Sequence, residues 1–373
     1  MKRKISEKMN YDYEMKLIDI NSLDLEFSSY VLGVDIGGTY TNFGIAGIQN
    51  KKPLILFSLK FDSKELESLT PAIIQTLDYA KNEHNIDVYD ACIGAAGVVS
   101  EAKDFADLTN VNWNVSTNEI IKNTSLKNAF IINDFQAIGY GINLLDHSNK
   151  NDIFQVRSEA NNKYITHQTK AIIGAGTGFG KCILFYDHHL KASIPHPSEG
   201  GHGDFPICAD FEKRLLNFIE KEKKDSSPVC YEDVLSGNGI ESIYNFLMKE
   251  KKYKSSEYQD IIENSIEKAS FISKYRKTDE LCKETFLYFT KFYGRCAKNF
   301  VLDTLATGGL YIAGGIASKN SDIFQTDEFL FEFENSQKRK ELLKKIPIYT
   351  IMNYDVSLYG TCFAAMHNMV DEN

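Results

Sequence analysis

The chain has 373 residues, 43% of them hydrophobic and 25% charged, and a formal net charge of -9. That length fits about two to three domains of ordinary size, and the acidic balance excludes a nucleic-acid partner gripped through its phosphates. The seven cysteines are scattered, odd in number and never spaced C-x-x-C, which excludes a disulfide framework and fits a reduced, cytoplasmic protein, while the lack of any apolar run of about 18 residues excludes a membrane-spanning helix or a signal peptide.

Residues 1–29 are polar and weakly periodic, and read as an extension, partly helical or disordered. Regular structure is predicted from residue 30. Residues 30–36 form a buried strand, Gly37-Gly38 a tight turn, 41–48 a return strand and 54–61 a third strand. A helix over 66–83 follows, then a buried strand over 91–99 running into a glycine-rich loop. Residues 129–132 make a short strand ending in Asn133-Asp134, with a helix over 135–145. The pattern then restarts: strand 170–173, glycine turn 174–180, return strand 182–186. A lysine- and glutamate-rich helical stretch covers 211–305, and strand 310–313 leads into Gly314-Gly315. Two strand-rich halves that each open with a glycine hairpin predict a duplicated α/β fold, two lobes with a cleft between them.

The glycine turns carry the first chemical signal. Glycine permits positive φ and lets a phosphate approach bare backbone N–H groups. Asp35-Ile-Gly37-Gly38-Thr39 adds a carboxylate able to hold hydrated Mg²⁺, and a hydroxyl. A plain glycine hairpin is the equal alternative. Gly174-Ala-Gly176-Thr177-Gly178-Phe-Gly180-Lys181-Cys182 is no P-loop, because Ala175 and Cys182 stand where that motif needs Gly and Ser/Thr. Nor is it a dinucleotide fingerprint, whose third glycine would fall at Phe179.

Asp134 follows an apolar strand and precedes a helix, the place where open α/β sheets bind ligands, so it can accept a proton from a hydroxyl nucleophile. The alternative is an Asp N-cap. Glu199-Gly200-Gly201-His202 offers an acceptor and a donor for sugar hydroxyls, against a surface loop or a metal site. His188-His189 reads as a turn. Trp113 can stack on a sugar or fill the core.

The order of these motifs resembles the bacterial-type glucokinase family of the sugar kinase, Hsp70 and actin superfamily. The resemblance runs from Tyr30 to Ala365. It is carried by Val34-Asp-Ile-Gly-Gly-Thr39, Leu108-Thr-Asn-Val-Asn-Trp113, Ile132-Asn-Asp-Phe135 and Gly174-Ala-Gly-Thr-Gly-Phe-Gly180, then by Ser198-Glu-Gly-Gly-His202, Glu232-Asp-Val-Leu-Ser-Gly237 and Gly309-Leu-Tyr-Ile-Ala-Gly-Gly-Ile-Ala317. It implies an actin-like, ribonuclease-H-like sugar kinase fold. A small domain over 30–143 is completed by a C-terminal helix over about 355–373, a large domain spans 144–354, and closure over the sugar excludes water.

The resemblance also implies roles: transfer of phosphate from ATP to the 6-hydroxyl of glucose, with Asp134 as general base. Asn133, Glu199, His202 and Glu232 are the implied sugar ligands, with Asn110 beside them. Gly37, Gly38, Thr39, Gly176, Thr177 and Gly178 would cradle phosphates, Asp35 would face magnesium through water, and Gly314 and Gly315 would lie near the adenosine. A homodimer is the usual assembly. The chain departs from the family at Asn42, where an arginine is frequent, and at Ala175 and Asn238, where prolines are usual. The related repressor, open-reading-frame and kinase family carries a cysteine-rich zinc motif after its Gly-His; only Cys208 follows His202 closely, so no zinc is expected. The rival readings are a kinase of another hexose, a kinase using polyphosphate or ADP, and a non-catalytic sugar sensor. The sensor is disfavoured by the retained Asp134 and by too short a leader for a DNA-binding domain.

Overall fold

The computed structural model describes residues 11–17, 26–109, 111–157, 167–224, 227–250 and 256–370. The chain divides into two compact units. The first takes the chain up to Leu145, Ser193–Pro195 and everything from Tyr354; the second takes Asp146–Ala192 and His196–Asn353.

The first unit is built on β1 (Glu14–Leu17), β2 (Ser29–Ile36), β3 (Tyr40–Gln49), β4 (Lys52–Asp62), β5 (Asp90–Ala95) and β9 (Asn128–Asn133), in the sheet order β1-β4-β3-β2-β5-β9. β2, β3 and β4 form an antiparallel meander, and β5 and β9 continue it in parallel with β2. The period of two along β2 assigns its faces. Leu32, Val34 and Ile36 enter a core shared with Leu69, Ala72 and Ile73 of the Leu69–His84 helix. Gly33 lies on the other face, where the C-terminal helix Val356–Val370 packs. A Cβ on Gly33 would sit 2.6 Å from Cys362 Sγ, so the missing side chain lets that helix lie directly on the strand.

The strand expected over 91–99 is broken. β5 stops at Ala95, and β6 (Gly97–Val99) joins β7 (Phe105–Leu108) and β8 (Val115–Ser116) in a separate three-stranded sheet. The cause is Gly97, whose φ of 150° carries the chain away from β5. The extension also differs from expectation: residues 14–17 are an antiparallel edge strand on β4, and the rest of residues 1–25, apart from 11–13, lies outside the described residues. The helix expected over 135–145 ends at Gly141, with a 3₁₀ turn over Ile142–Leu144.

The second unit repeats the arrangement with β10 (Ile153–Arg157), β11 (Lys170–Ala175), β12 (Phe179–Asp187), β13 (Ala192–Ser198), β14 (Leu310–Ala313) and β15 (Ile348–Ile351), in the order β10-β15-β14-β11-β12-β13. β11 and β12 form the antiparallel hairpin, and β14 and β15 extend it in parallel from β11. The sequence β4-β3-β2-β5-β9 thus corresponds to β13-β12-β11-β14-β15, which is the duplication the glycine hairpins announced.

The Glu280–Thr304 helix runs through this unit's core with Phe286, Phe289, Phe292 and Tyr293 buried. Its one buried cation, Arg295, makes a two-pronged bond to Glu212, Nη1 to Oε2 at 2.8 Å and Nη2 to Oε1 at 2.9 Å. No helix among the described residues is long and apolar enough to cross a membrane.

Candidate active site

In the first unit, the three parallel strands end in one row. Ile36 of β2 is in register with Ala95 of β5, and Ala95 with Asn133 of β9. At about 4.8 Å per strand, the turn after β2 and the residues after β9 lie about 10 Å apart on the carboxyl edge, where open α/β sheets bind ligands.

Asp35, the penultimate residue of β2, is half-buried. Ser357, at the start of the C-terminal helix, donates to its Oδ1 at 2.7 Å. Burial pushes the Asp35 carboxyl above its usual range; hydrogen bonds from Ser357 and Asn42 oppose the push, and the charge of Asp355 adds to it. Asn42, cross-strand from Asp35, is therefore a neutral donor to that carboxylate. The Gly37-Gly38-Thr39 turn is braced from outside. The Gly37 amide donates to Tyr40 O at 3.0 Å, Ser63 Oγ donates to Gly37 O at 2.7 Å, and the Ser63 amide donates to Thr39 O at 2.9 Å. Positive φ is not the reason for Gly37, which is absent from the positive-φ glycines; a Cβ there would meet Tyr40 O at 2.8 Å.

Asn133 and Asp134 stand at the β9 end of the row. Asn133, not Asp134, is the N-cap. Its Oδ1 accepts the Phe135 amide at 2.9 Å, and Gln136 Oε1 accepts the Asn133 amide at 3.2 Å, which closes a capping box. Asp134 is the first helical residue, and its Oδ1 also faces the Phe135 amide at 2.9 Å. The first turn of a helix favours a negative charge. The Asp N-cap alternative is thereby overturned. Trp113 belongs to the core: it is 9% exposed and its indole N–H donates to Ser63 O at 3.4 Å, so it is no stacking platform. Asn110 lies outside the described residues.

In the second unit, β11 and β14 end side by side, Gly174 in register with Ala313. Each runs into a bare glycine. A Cβ built on Gly176 or on Gly315 meets nothing within 4 Å, so both backbones are open to a ligand. Gly314 has a φ of 93° and packs on Ala175. The turn closes through the Gly176 amide donating to Gly178 O at 2.8 Å, with Thr177 exposed.

Glu232 fastens this hairpin, because its Oε2 accepts the Phe179 amide at 2.8 Å. A Cβ on Gly178 would meet the same oxygen at 2.6 Å. Glu199 precedes a 3₁₀ turn, Gly200–His202, that His202 closes; their side chains are 85% and 61% exposed, with Glu199 Oε2 3.8 Å from His202 Nε2. The Tyr231 amide donates to Gly203 O at 3.0 Å, which ties that turn to the helix bearing Glu232. The segments that carry Glu199, His202 and Glu232 are thereby joined. His188 and His189 sit in the turn after β12, where the His189 amide bonds Asp187 Oδ1 at 2.7 Å. Among the described residues, no three His, Cys, Asp or Glu side chains gather as a metal site.

Ser357, Ser63 and the Phe179 amide were invisible in the sequence. Each acts on a residue far away in the chain, and no local spacing marks them.

The glucokinase family model matches residues 32–368. The chain belongs to the glucokinase family. The Trichormus variabilis glucokinase is 33% identical over 349 residues, covering 90% of this chain and 98% of the relative. That of Synechocystis is 31% identical over 354 residues, covering 90% and 97%. Among solved structures, a glucokinase from an Antarctic psychrotroph aligns with a TM-score of 0.73 at 25% identity, covering 91% of this chain and 99% of that one. A Balamuthia mandrillaris glucokinase in complex with glucose aligns with a TM-score of 0.74 at 21% identity, covering 90% and 93%, and shares the fold. A Streptomyces griseus glucokinase of the repressor, open-reading-frame and kinase family, in complex with glucose and AMPPNP, shares it more distantly, with a TM-score of 0.59 at 17% identity and coverage of 91% and 100%. The sugar kinase fold that the family resemblance implied is the fold of these neighbours.

Proposed function

We propose that this chain transfers the terminal phosphoryl group of ATP to the 6-hydroxyl of glucose. The observation that carries the reading is the row at the carboxyl edge of β2, β5 and β9, where Asp134 and the Asp35–Thr39 turn stand two strands apart. Phosphoryl transfer asks a protein for in-line positioning, charge neutralisation and a proton acceptor. Asp134 takes the proton from the hydroxyl as the oxygen attacks. The helix start favours the ionised form of that carboxylate.

Glu199, His202 and Glu232 receive the other hydroxyls, as does the amide of Asn133, with Asn110 expected beside them. The Gly37-Gly38-Thr39 and Gly176-Thr177-Gly178 turns cradle the phosphates, with the Gly37 and Gly176 amides closing the turns internally and the other amides left to the ligand, and Gly314-Gly315 lies at the adenosine. Two glycines with open space where a Cβ would stand fit such a ligand. Asp35 would hold Mg²⁺ through water, because a hard, oxygen-seeking cation that keeps most of its waters suits a single carboxylate already oriented by Ser357. Bound Mg²⁺ supplies charge neutralisation at the phosphates. The family resemblance also makes a homodimer the expected assembly.

The test is ADP release by purified protein with Mg-ATP and a panel of hexoses. Turnover with glucose supports the reading. Turnover only with another hexose keeps the mechanism and changes the sugar. Turnover with polyphosphate or ADP, but not ATP, changes the donor, and no turnover with any pair leaves a sugar sensor.

A further inference from the structure

One buried charge of the second unit has no place in the mechanism above. Lys181, on β12, is 6% exposed. Its Nζ lies 3.9 Å from the centroid of the Tyr231 ring and 5.4 Å from that of Phe300. Beside it is the Cys296 thiol, which burial pushes up to about 12 against the opposing pull of Lys181. No carboxylate pairs with Lys181 among the described residues. An ammonium is expensive to bury without a paired anion, and an aromatic face compensates only in part.

Its position accounts for its presence. A Cβ on Gly200 would lie 3.0 Å from Lys181 Cδ and 3.5 Å from Nζ, so the lysine stem runs beneath Gly200 and ends against Tyr231. Gly200 follows Glu199, and Tyr231 precedes Glu232. Two residues earlier on β12, the Phe179 amide holds Glu232 Oε2 at 2.8 Å, and the Phe179 carbonyl occupies the place of a side chain on Gly201. Residues 179–181 are thus a common spine for both carboxylates. The Tyr231 ring is itself fixed, because Asn299 Nδ2 donates to its hydroxyl at 3.1 Å.

We infer that Lys181 is a positioning residue of the hexose site: packed between Gly200 and the Tyr231 ring, it sets the separation of Glu199 and Glu232 and thereby the choice among hexoses. The inference rests on the reading of Glu199 and Glu232 as sugar ligands. Two carboxylates read two hydroxyls, so a change in their separation alters selectivity between sugars more than it alters the chemical step.

The experiment compares the full-length protein with Lys181→Met, which keeps the stem and removes the charge, and with Lys181→Arg, which keeps the charge and stacks on an aromatic face. Initial rates are measured against glucose, its 2-epimer mannose and ATP, and glucose binding is followed by calorimetry. In Lys181→Met the KM for glucose should rise about tenfold, with the KM for ATP within about twofold and the preference between the epimers narrowed. Lys181→Arg should recover most of the loss. Gly200→Ala, whose Cβ pushes on Lys181, should move the same constant in the same direction, and it serves if Lys181→Met does not fold. A folded Lys181→Met with an unchanged KM for glucose, or with both constants raised equally, overturns the inference alone. A wild-type protein that binds no hexose overturns the sugar-site reading and this inference with it.

Discussion

Asn133 Oδ1 accepts the Phe135 amide at 2.9 Å and so caps the helix that begins at Asp134. The helix start therefore does not depend on the neighbouring carboxylate for its cap. Asp134→Asn should keep the helix and the melting temperature while lowering turnover by about 10²–10⁴-fold, the usual contribution of a general base. Calorimetry with glucose should still give binding. A variant that retains most of its turnover removes Asp134 from the chemistry.

Ser357 reaches Asp35 across 322 positions of chain to make a 2.7 Å bond. Ser357→Ala frees the carboxylate to swing away from the glycine turn. The Mg²⁺ concentration for half-maximal turnover should rise several-fold, by about 1 kcal/mol in binding terms for one lost charge-assisted hydrogen bond. The KM for glucose should stay put. A matched rise in the glucose constant would mean that Ser357 supports the whole unit and not Asp35.

The Arg295–Glu212 pair is buried on both sides, with side chains 9% and 8% exposed. Glu212 Oε2 also accepts the Cys208 amide at 2.7 Å. Glu212→Gln leaves the buried guanidinium with Glu332, at 3.5 Å, as its remaining carboxylate among the described residues. Breaking a buried pair in this way costs about 3–5 kcal/mol. Urea unfolding should show the midpoint falling accordingly, whereas Arg214→Gln, at an exposed pair, should change stability by less than about 1 kcal/mol.

Burial pushes Lys170, at the start of β11, from an ordinary value of 10.5 down to about 8. The unfolded chain holds that proton up to about pH 10.5 and the folded chain only up to about 8, so between those values unfolding takes up a proton and stability rises with pH. Below pH 8 both states are protonated and the cost of the buried charge is fully present. Lys170→Met should then stabilise the protein at pH 7 by about 1–3 kcal/mol and flatten the rise between pH 8 and 10. Thermal melts across that range would contradict the assignment if wild type and variant ran parallel.

The glycine hairpins were legible because Gly37-Gly38 and Gly174–Gly180 interrupt long apolar runs, and local punctuation of that kind survives tertiary context. The strand ends that carry Asp35 and Asp134 followed from the same runs. β13 was not legible: Pro195 and Pro197 argue against a strand, and they are tolerated because β13 lies at the sheet edge. The strand over 91–99 was drawn through Gly97 because composition alone does not reveal a φ of 150°. Asn133 and Asp134 look alike as caps, and only the Gln136 side chain returning to the Asn133 amide decides between them. Glu232 was placed with the sugar ligands, while its bond to the Phe179 amide depends on a partner 53 residues away.

The short strand β1 has a consequence for solubility. Without it, β4 would close the sheet of the first unit with eleven residues of strand, five of them buried and apolar among Leu54–Phe61. A long, regular open edge of that kind is a template for strand addition by another chain. β1 covers it from Phe57 to Lys60 with only four residues, two of them charged: Glu14 pairs with Lys60 at 3.0 Å and Lys16 with Asp355 at 2.8 Å. The outermost rail of the sheet is thus short and carries a charge at every second position, and a protein begun at residue 30 would lose that guard while keeping every residue assigned to the chemistry.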